Sequence, residues 1–160
     1  MKILGIDPGL VQTGFGVISV KGSNFSLVDY GIIKPDSKAD LSNRLLTIHQ
    51  DITSIIDNYF PNIVVIEDIF YGKNIKSALK LGQARGVAMV AAAAHNLPIH
   101  EYSARKVKQA ITGNGNATKE QIQFMVKTIL NLQSLPSPMD ASDALAIAIC
   151  HCQQFRENDL

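Results

Sequence analysis

The sequence predicts an α/β fold with a mixed five-stranded sheet that is flanked by helices on both faces. Short apolar runs of strand length alternate with longer stretches in which apolar residues recur at helical spacing. Three strand-like runs come first and are separated only by turns, whereas the later ones are separated by helices. With 160 residues, 46% of them hydrophobic and 18% charged, the chain suits one core, so residues 1–160 are predicted to form a single domain.

The first three strands are predicted to form an antiparallel meander. "KILGID" is the first strand, "GFGVISVK" the second and "FSLVDYGIIK" the third. The segments "GLVQT" and "GSN" between them carry turn residues. Strands joined by such short turns pair with their neighbours in sequence, which gives the meander.

The rest of the chain alternates helices with two further strands. Apolar residues at helical spacing, ended by Pro61, predict a helix over 40–59, and "NIVVIED" follows as the fourth strand. A long helix over 76–95 precedes a fifth strand around "PIHEYS". Helical crossovers imply that the first, fourth and fifth strands are parallel, which makes the sheet ribonuclease H-like. The order βββαβαβααα is completed by helices at 104–111, 118–131 and 139–154.

Two of the predicted strands end on a carboxylate. Asp7 closes the apolar run "ILGI", and Glu67 closes "VVI". Ligands bind beyond the carboxyl ends of parallel strands in open α/β sheets, so the two acids would converge if their strands are neighbours. Asp7 alone also suits an ordinary turn, since "DPG" is good turn chemistry. The pair together favours a functional site.

Two more acids lie one turn apart near the start of the last helix. In "SPMDASDALAIAIC", Ser137 is predicted as the N-cap and Pro138 as the first helical residue, so a structural role in a capping box is an alternative explanation for Asp140. Asp143 has no such alternative. It shares a face with Asp140 in a helix otherwise rich in Ala, Leu and Ile. Facing a neighbouring sheet would be costly for an acid unless a cation met it.

The four acids together predict a metal site. Four converging carboxylates are more negative charge than a protein gathers without cations. Oxygen ligands without clustered His or Cys favour Mg²⁺ or Mn²⁺ over zinc. Two such ions in one site would activate a water and stabilise the leaving oxygen in an in-line attack on a phosphodiester. The predicted catalytic and metal-binding residues are Asp7, Glu67, Asp140 and Asp143.

Positive charge is concentrated in the middle of the chain. Residues 71–127 hold nine Lys and Arg against two Glu, whereas the formal net charge of the whole chain is only +1. Such a basic segment is what a phosphate-rich partner requires, although solvated lysine-rich helix faces are also common.

The cysteines and the N-terminal sequence predict the cellular compartment of the protein. Cys150 and Cys152 lie two apart in a predicted helix, so they cannot bridge each other, and unpaired thiols suit a reducing compartment. "CHC" lacks the four ligands of a zinc site and is predicted as buried helix. No signal peptide, presequence or membrane-spanning run is recognised. We expect a cytoplasmic protein without membrane contact.

Several motifs spread over the whole chain resemble the RuvC family of bacterial Holliday-junction resolvases. They are "GIDPG", "TGFGV", "IEDIF", "SALKLGQARG", "EYSARKVKQAITGNGNATKEQ" and "DASDALAIAIC". The resemblance implies a homodimeric Mg²⁺-dependent endonuclease that nicks two opposing strands of a four-way DNA junction symmetrically, in recombination and repair. It also implies coupling to the RuvA and RuvB branch-migration proteins.

The resemblance assigns further roles to single residues. The matching acids are the four predicted above. Phe70 matches an aromatic residue that enters the junction and stacks on a base, although its spacing alone suits a core residue. Lys108 and Lys119 match lysines near the scissile phosphate. Further candidates for contact with the DNA backbone are Lys76, Lys80, Arg85 and Arg105.

Asp68, two glycines of the long helix and one glycine-rich loop carry further predictions. Asp68 stands where the family often has Gln, and strand alternation predicts that it points away from Glu67. Gly82 and Gly86 would allow a close helix contact, which the resemblance places in the dimer interface; packing on the helix's own sheet is the alternative. The loop "TGNGNAT" precedes a helix predicted to begin with a Thr118–Gln121 capping box, and it could contact DNA or merely connect two helices.

Three other functions are compatible with parts of the sequence. A nuclease of the same fold acting on RNA, or a catalytically inactive junction-binding scaffold, would share much of the sequence. A scaffold has no use for four carboxylates that repel DNA. A kinase or ATPase half, suggested by "GIDPG" alone, is disfavoured because that group closes two such domains over ATP.

Overall fold

The computed structural model describes residues 1–68 and 72–158. The ends of its elements agree with the predicted ones within two residues, except that the last helix continues to Asn158. The strands are β1 Lys2–Asp7, β2 Thr13–Lys21, β3 Asn24–Ile33, β4 Ile63–Glu67 and β5 Ile99–Tyr102. The helices are α1 Leu41–Tyr59, α2 Ile75–Ala94, α3 Ala104–Thr112, α4 Lys119–Ile129 and α5 Met139–Asn158.

The five strands form one mixed sheet in the order β3-β2-β1-β4-β5. β1 pairs antiparallel with β2, and β2 with β3, while β1–β4 and β4–β5 are parallel. Both the meander and the parallel half are therefore confirmed. Because Ile6 pairs with Ile66, the residues that follow them, Asp7 and Glu67, lie side by side at the same sheet edge.

Helices cover both faces of the sheet and enclose two hydrophobic cores. Successive residues of a strand point to opposite faces, so Ile3 packs in one core and Leu4 in the other. α1 and α2 contribute Ile52, Ala88 and their neighbours to the second core. α3, α4 and α5 cover the first. The central strands are buried on both sides, which explains their continuous apolar runs.

α5 lies with its backbone almost directly on β1 and β2. A β-carbon on Gly5 would collide with the carbonyl oxygen of Ala144, and one on Gly16 would press on Leu145. Only glycine permits this approach. The alanine-rich sequence of α5 serves the same contact, since Ala141, Ala144 and Ala148 are wholly buried.

One predicted helix start is corrected and another is confirmed. α5 begins at Met139, and the Pro138 carbonyl accepts hydrogen bonds from the amides of Ala141 and Ser142. Pro138 thus precedes the helix instead of being its first residue, because its carbonyl already occupies the position that accepts the first helical bonds. The capping box between Thr118 and Gln121 is present.

The buried part of α5 contains both cysteines. Cys150 and Cys152 are buried as thiols, as predicted from their spacing. Over the residues that the model describes, no helix combines the length and apolar character needed to cross a bilayer.

Candidate active site

The predicted acids converge at the carboxyl end of the parallel strands. Asp7 ends β1, Glu67 ends β4, and Asp140 and Asp143 project from the first turns of α5. One carboxylate oxygen from each of the three aspartates lies within 4.8 Å of the others. Glu67 joins them through a hydrogen bond with Asp7. All four line one cavity of about 320 Å³.

The convergence follows from the strand order and from the glycines beneath α5. Parallel pairing of β1 with β4 brings Asp7 and Glu67 together. A β-carbon on Gly14 would collide with the main-chain carbonyl of Asp140, so the start of α5 rests on the start of β2. Gly14 is itself paired with Asp7 across the antiparallel ladder. Asp7 and Asp140, which are far apart in the sequence, are thereby brought close together.

Burial and mutual repulsion make Asp7 and Glu67 reluctant to ionise. Burial, followed by the charge of Glu67, raises the pKa of Asp7 to about 9. The pKa of Glu67 is also raised, chiefly by burial, while its hydrogen bond from Asp7 opposes that rise. Asp7 therefore holds a proton that it shares with Glu67 at neutral pH.

Two lysines supply the positive charge nearest to the acids. Lys119 Nζ lies 3.2 Å from Asp143 Oδ2, and the ion pair raises the pKa of Lys119. Burial raises the pKa of Asp143, and the charge of Lys119 partly offsets this rise. Lys108 lines the same cavity. These two lysines are the ones that the resemblance placed near the scissile phosphate.

The donor set suits a hard divalent cation. Every ligand atom in the cluster is a carboxylate oxygen, which is the preference of Mg²⁺ and Mn²⁺. Burial is the main cause of the raised pKa of Asp7, and the charges of neighbouring carboxylates add to it; a bound cation would relieve that repulsion. The residues present therefore fit a metal of this class.

Gln12 is a site residue that the sequence analysis missed. Its side-chain amide Nε2 donates a hydrogen bond to Asp140 Oδ2 from the loop between β1 and β2. The reciprocal hydrogen bonds of Gly9 with the buried Thr13 hydroxyl hold that loop closed. The available signal was weak: a lone polar side chain in a turn just beyond the end of β1.

Arg85 has a different environment from that of the two cavity lysines. Its guanidinium forms ion pairs with Glu101 and, at 3.5 Å, with Asp68. Asp68 thus points away from the acid cavity, as strand alternation predicted. Pairing with two acids offsets the charge of Arg85 and weakens the case for its contact with DNA.

The remaining predicted contact residues are more dispersed. Lys76 and Lys80 are exposed on α2, and Arg105 is exposed on α3. The aliphatic part of Arg105 packs beside Gly115 in the loop after α3. Phe70 lies outside the described residues.

Comparisons of sequence and of structure both find similarity to the same family of proteins. The family model "Crossover junction endodeoxyribonuclease RuvC" matches residues 3–151. The crossover junction endodeoxyribonuclease RuvC of Protochlamydia amoebophila is 51% identical over 151 residues, which cover 94% of this chain and 90% of the relative. The structure of Thermus thermophilus RuvC is 34% identical, with a TM-score of 0.91 over 99% of this chain and 97% of that one.

A second Thermus thermophilus structure contains RuvC in complex with a Holliday junction substrate. It aligns with a TM-score of 0.93 at 34% identity, over 99% of this chain and 96% of the matched chain. The sheet, its covering helices and the acid cluster define a ribonuclease H-like nuclease domain. The extent of the family match makes the assignment more specific: the chain belongs to the RuvC family of crossover junction endodeoxyribonucleases.

Proposed function

We propose that this protein resolves four-way DNA junctions by symmetric paired nicks, through phosphodiester hydrolysis that depends on two Mg²⁺ ions. The observation that carries the proposal is the convergence of Asp7, Asp140 and Asp143 beside Glu67 in one cavity. Membership of the RuvC family directs the proposal to junction DNA. The Thermus relative in complex with a Holliday junction substrate supports the same choice.

The four acids would hold the metal, with Mn²⁺ as a substitute for Mg²⁺. The chemistry that a bound pair of such ions supplies is activation of a water and stabilisation of the leaving oxygen. The chain's own part is to orient the carboxylates from a rigid strand end and a rigid helix. Asp7 must release its proton when metal binds, because only the carboxylate form is a ligand.

The lysines would place the scissile phosphate. Lys108 and Lys119 line the cavity, and the ammonium group of Lys119 contacts Asp143 there. A phosphate oxygen arriving there would compete with Asp143 for Lys119. Lys76, Lys80 and Arg105 are proposed to contact the DNA backbone further out, and Phe70 to stack on a base.

Symmetric nicking requires two active sites, so we propose a homodimer. A groove of about 450 Å³ between α1 and α2 is lined by Leu46, Gly86, Val90 and their neighbours. Leu46 and Val90 are 50% and 60% exposed there. Exposed apolar side chains around such a groove are typical of an interface. Coupling to RuvA and RuvB and a cytoplasmic location are proposed from family membership.

The test compares a labelled four-way junction with linear duplex of the same sequence, each with Mg²⁺ or with EDTA. We expect paired nicks on the junction only, which disappear with EDTA and in Asp7→Asn. Tight junction binding without metal-dependent cutting would favour an inactive scaffold. Equal treatment of junction and duplex would favour the other nuclease of this fold, and RNA substrates would then be assayed.

A further inference from the structure

We propose that Gln12 is a positioning residue that fixes the orientation of the Asp140 carboxylate for metal binding. The inference rests on the proposed function and adds a residue to it. The side-chain amide of Gln12 donates to Asp140 Oδ2, joining a loop near the start of the chain to a helix near its end. Both side chains are half-buried, so the bond is partly shielded from competing water.

The loop that carries Gln12 is fixed at three points. The Gly9 amide donates to the Thr13 hydroxyl at 3.1 Å, and the same hydroxyl donates to the Gly9 carbonyl at 2.8 Å. Arg44 on α1 donates from Nη2 to the Leu10 carbonyl at 3.0 Å. A β-carbon on Gly9 would collide with the Gln12 carbonyl, so the chain closes tightly behind Gln12. The backbone that carries Gln12 is therefore held in place before any ligand arrives.

A fixed donor has a specific effect on a carboxylate. A carboxylate offers about four lone-pair directions and rotates readily about its last bond when unbound. The hydrogen bond from Gln12 uses one direction and holds the plane of the group, which leaves the others for the space shared with Asp7 and Asp143. Ligand carboxylates in metal sites are commonly oriented by such hydrogen bonds.

Asp140 has a particular need of this donor. Lys119 lies on the Asp143 side of the cluster and forms its ion pair with Asp143. Gln12 is a neutral group that donates directly to Asp140. Because an amide carries no full charge, it orients Asp140 without competing electrostatically with a divalent cation.

The test measures Mn²⁺ binding to the DNA-free protein by titration calorimetry and by electron paramagnetic resonance of free Mn²⁺. Gln12→Met keeps the length of the side chain and removes the donor, and Gln12→Ala serves if the first variant melts early. We expect Mn²⁺ affinity to fall about 10-fold. In cleavage assays the metal concentration for half-maximal rate should rise similarly, with kcat largely recovered at saturating metal. Val11→Ala, in the same loop at a 69% exposed position, should change neither value.

The outcomes separate this inference from the proposed function. Equal Mn²⁺ affinity in wild type and Gln12→Met would overturn the role of Gln12 while leaving junction cleavage untouched. A wild type that binds Mn²⁺ but cuts no junction would overturn the proposed function, and the affinity difference would still support Gln12. A fall in kcat that no metal concentration recovers would also overturn the positioning role.

Discussion

A β-carbon added to Gly14 would collide with the main-chain carbonyl oxygen of Asp140. Gly14 also pairs with Asp7 across the β1–β2 ladder. Gly14 therefore lies next to two predicted metal ligands. It neighbours Asp7 within the sheet, and it contacts the backbone of Asp140 in α5. Because the side chain of Gly14 is only a hydrogen atom, α5 can pack close enough to the sheet for Asp140 to approach Asp7.

Gly14→Ala should destabilise the protein and weaken metal binding together. The methyl group meets backbone, which cannot rotate away, so α5 must shift outward. We expect the free energy of unfolding to fall by about 1–3 kcal/mol, as for other overpacked sites. Chemical denaturation measures this loss, and Mn²⁺ titration measures the change at the site. Gly72→Ala is the control, since an added β-carbon there meets nothing within 4 Å; equal effects of the two changes would contradict the argument.

Asp7→Asn should stabilise the metal-free protein at neutral pH although it abolishes cleavage. The pKa of Asp7 is raised to about 9 from 3.8. Between these values the folded state binds more protons than the unfolded state, so the stability of the wild type falls as pH rises through that window. Asn carries no such proton. The advantage of the variant should therefore be absent below pH about 4 and grow to at least about 1 kcal/mol at neutral pH.

Urea denaturation in EDTA, at several pH values from 4 to 8, checks this expectation. The matched control is Asp51→Asn, which changes an exposed acid on α1. Asp51 lies outside the acid cavity, so this variant should not gain the stability expected of Asp7→Asn at pH 7. A variant Asp7→Asn that is less stable than wild type at pH 7 would show that the folded protein favours the ionised carboxylate.

Lys119→Met should separate phosphate positioning from metal binding. Lys119 contacts Asp143 at 3.2 Å, but its side chain is 61% exposed. Losing an exposed ion pair costs at most about 1 kcal/mol of stability. Because the lysine competes with cations for Asp143, Mn²⁺ affinity should stay equal or rise. Cleavage should still fall at least 10-fold through loss of the phosphate contact.

Parallel Mn²⁺ titrations and single-turnover junction cleavage measure the two effects of Lys119→Met. Lys127→Met, which removes another lysine from α4, should alter neither by much. Loss of Mn²⁺ binding in Lys119→Met would mean that the lysine organises the acids instead of the phosphate.

The sequence was sufficient to predict the secondary-structure elements and to single out the four acids, because both depend on local patterns. Apolar runs ending on Asp7 and Glu67 indicated strand ends, and the spacing of Asp140 and Asp143 placed them on one helix face. Gln12 could not be found in this way, since its partner Asp140 is distant in sequence and the contact depends on how a loop closes. The ion pair of Arg85 with Glu101 was missed for the same reason. Pro138 was assigned to α5 although the helix begins at Met139, because a proline fits either side of a helix boundary.

Leu46→Glu should convert the proposed homodimer to a monomer without unfolding it. Leu46 is 50% exposed beside Val90 at the groove between α1 and α2, so a charge there is solvated in the monomer. In a dimer the same charge would be buried against an apolar surface without a partner, which is strongly unfavourable. Sedimentation velocity at micromolar concentration should give the mass of a dimer for wild type and half that mass for the variant. The variant monomer should melt at about the same temperature as the wild type.

The same measurement distinguishes this face from other exposed apolar positions. Leu135→Glu changes a residue that is 47% exposed in the segment between α4 and α5, on a different part of the surface. It should remain dimeric. Paired nicking on a junction should become single, uncoordinated nicking in Leu46→Glu, because the acid cluster of each protomer is complete within one chain. A dimer that survives Leu46→Glu and Val90→Glu together would place the interface elsewhere, and the groove would then need another occupant.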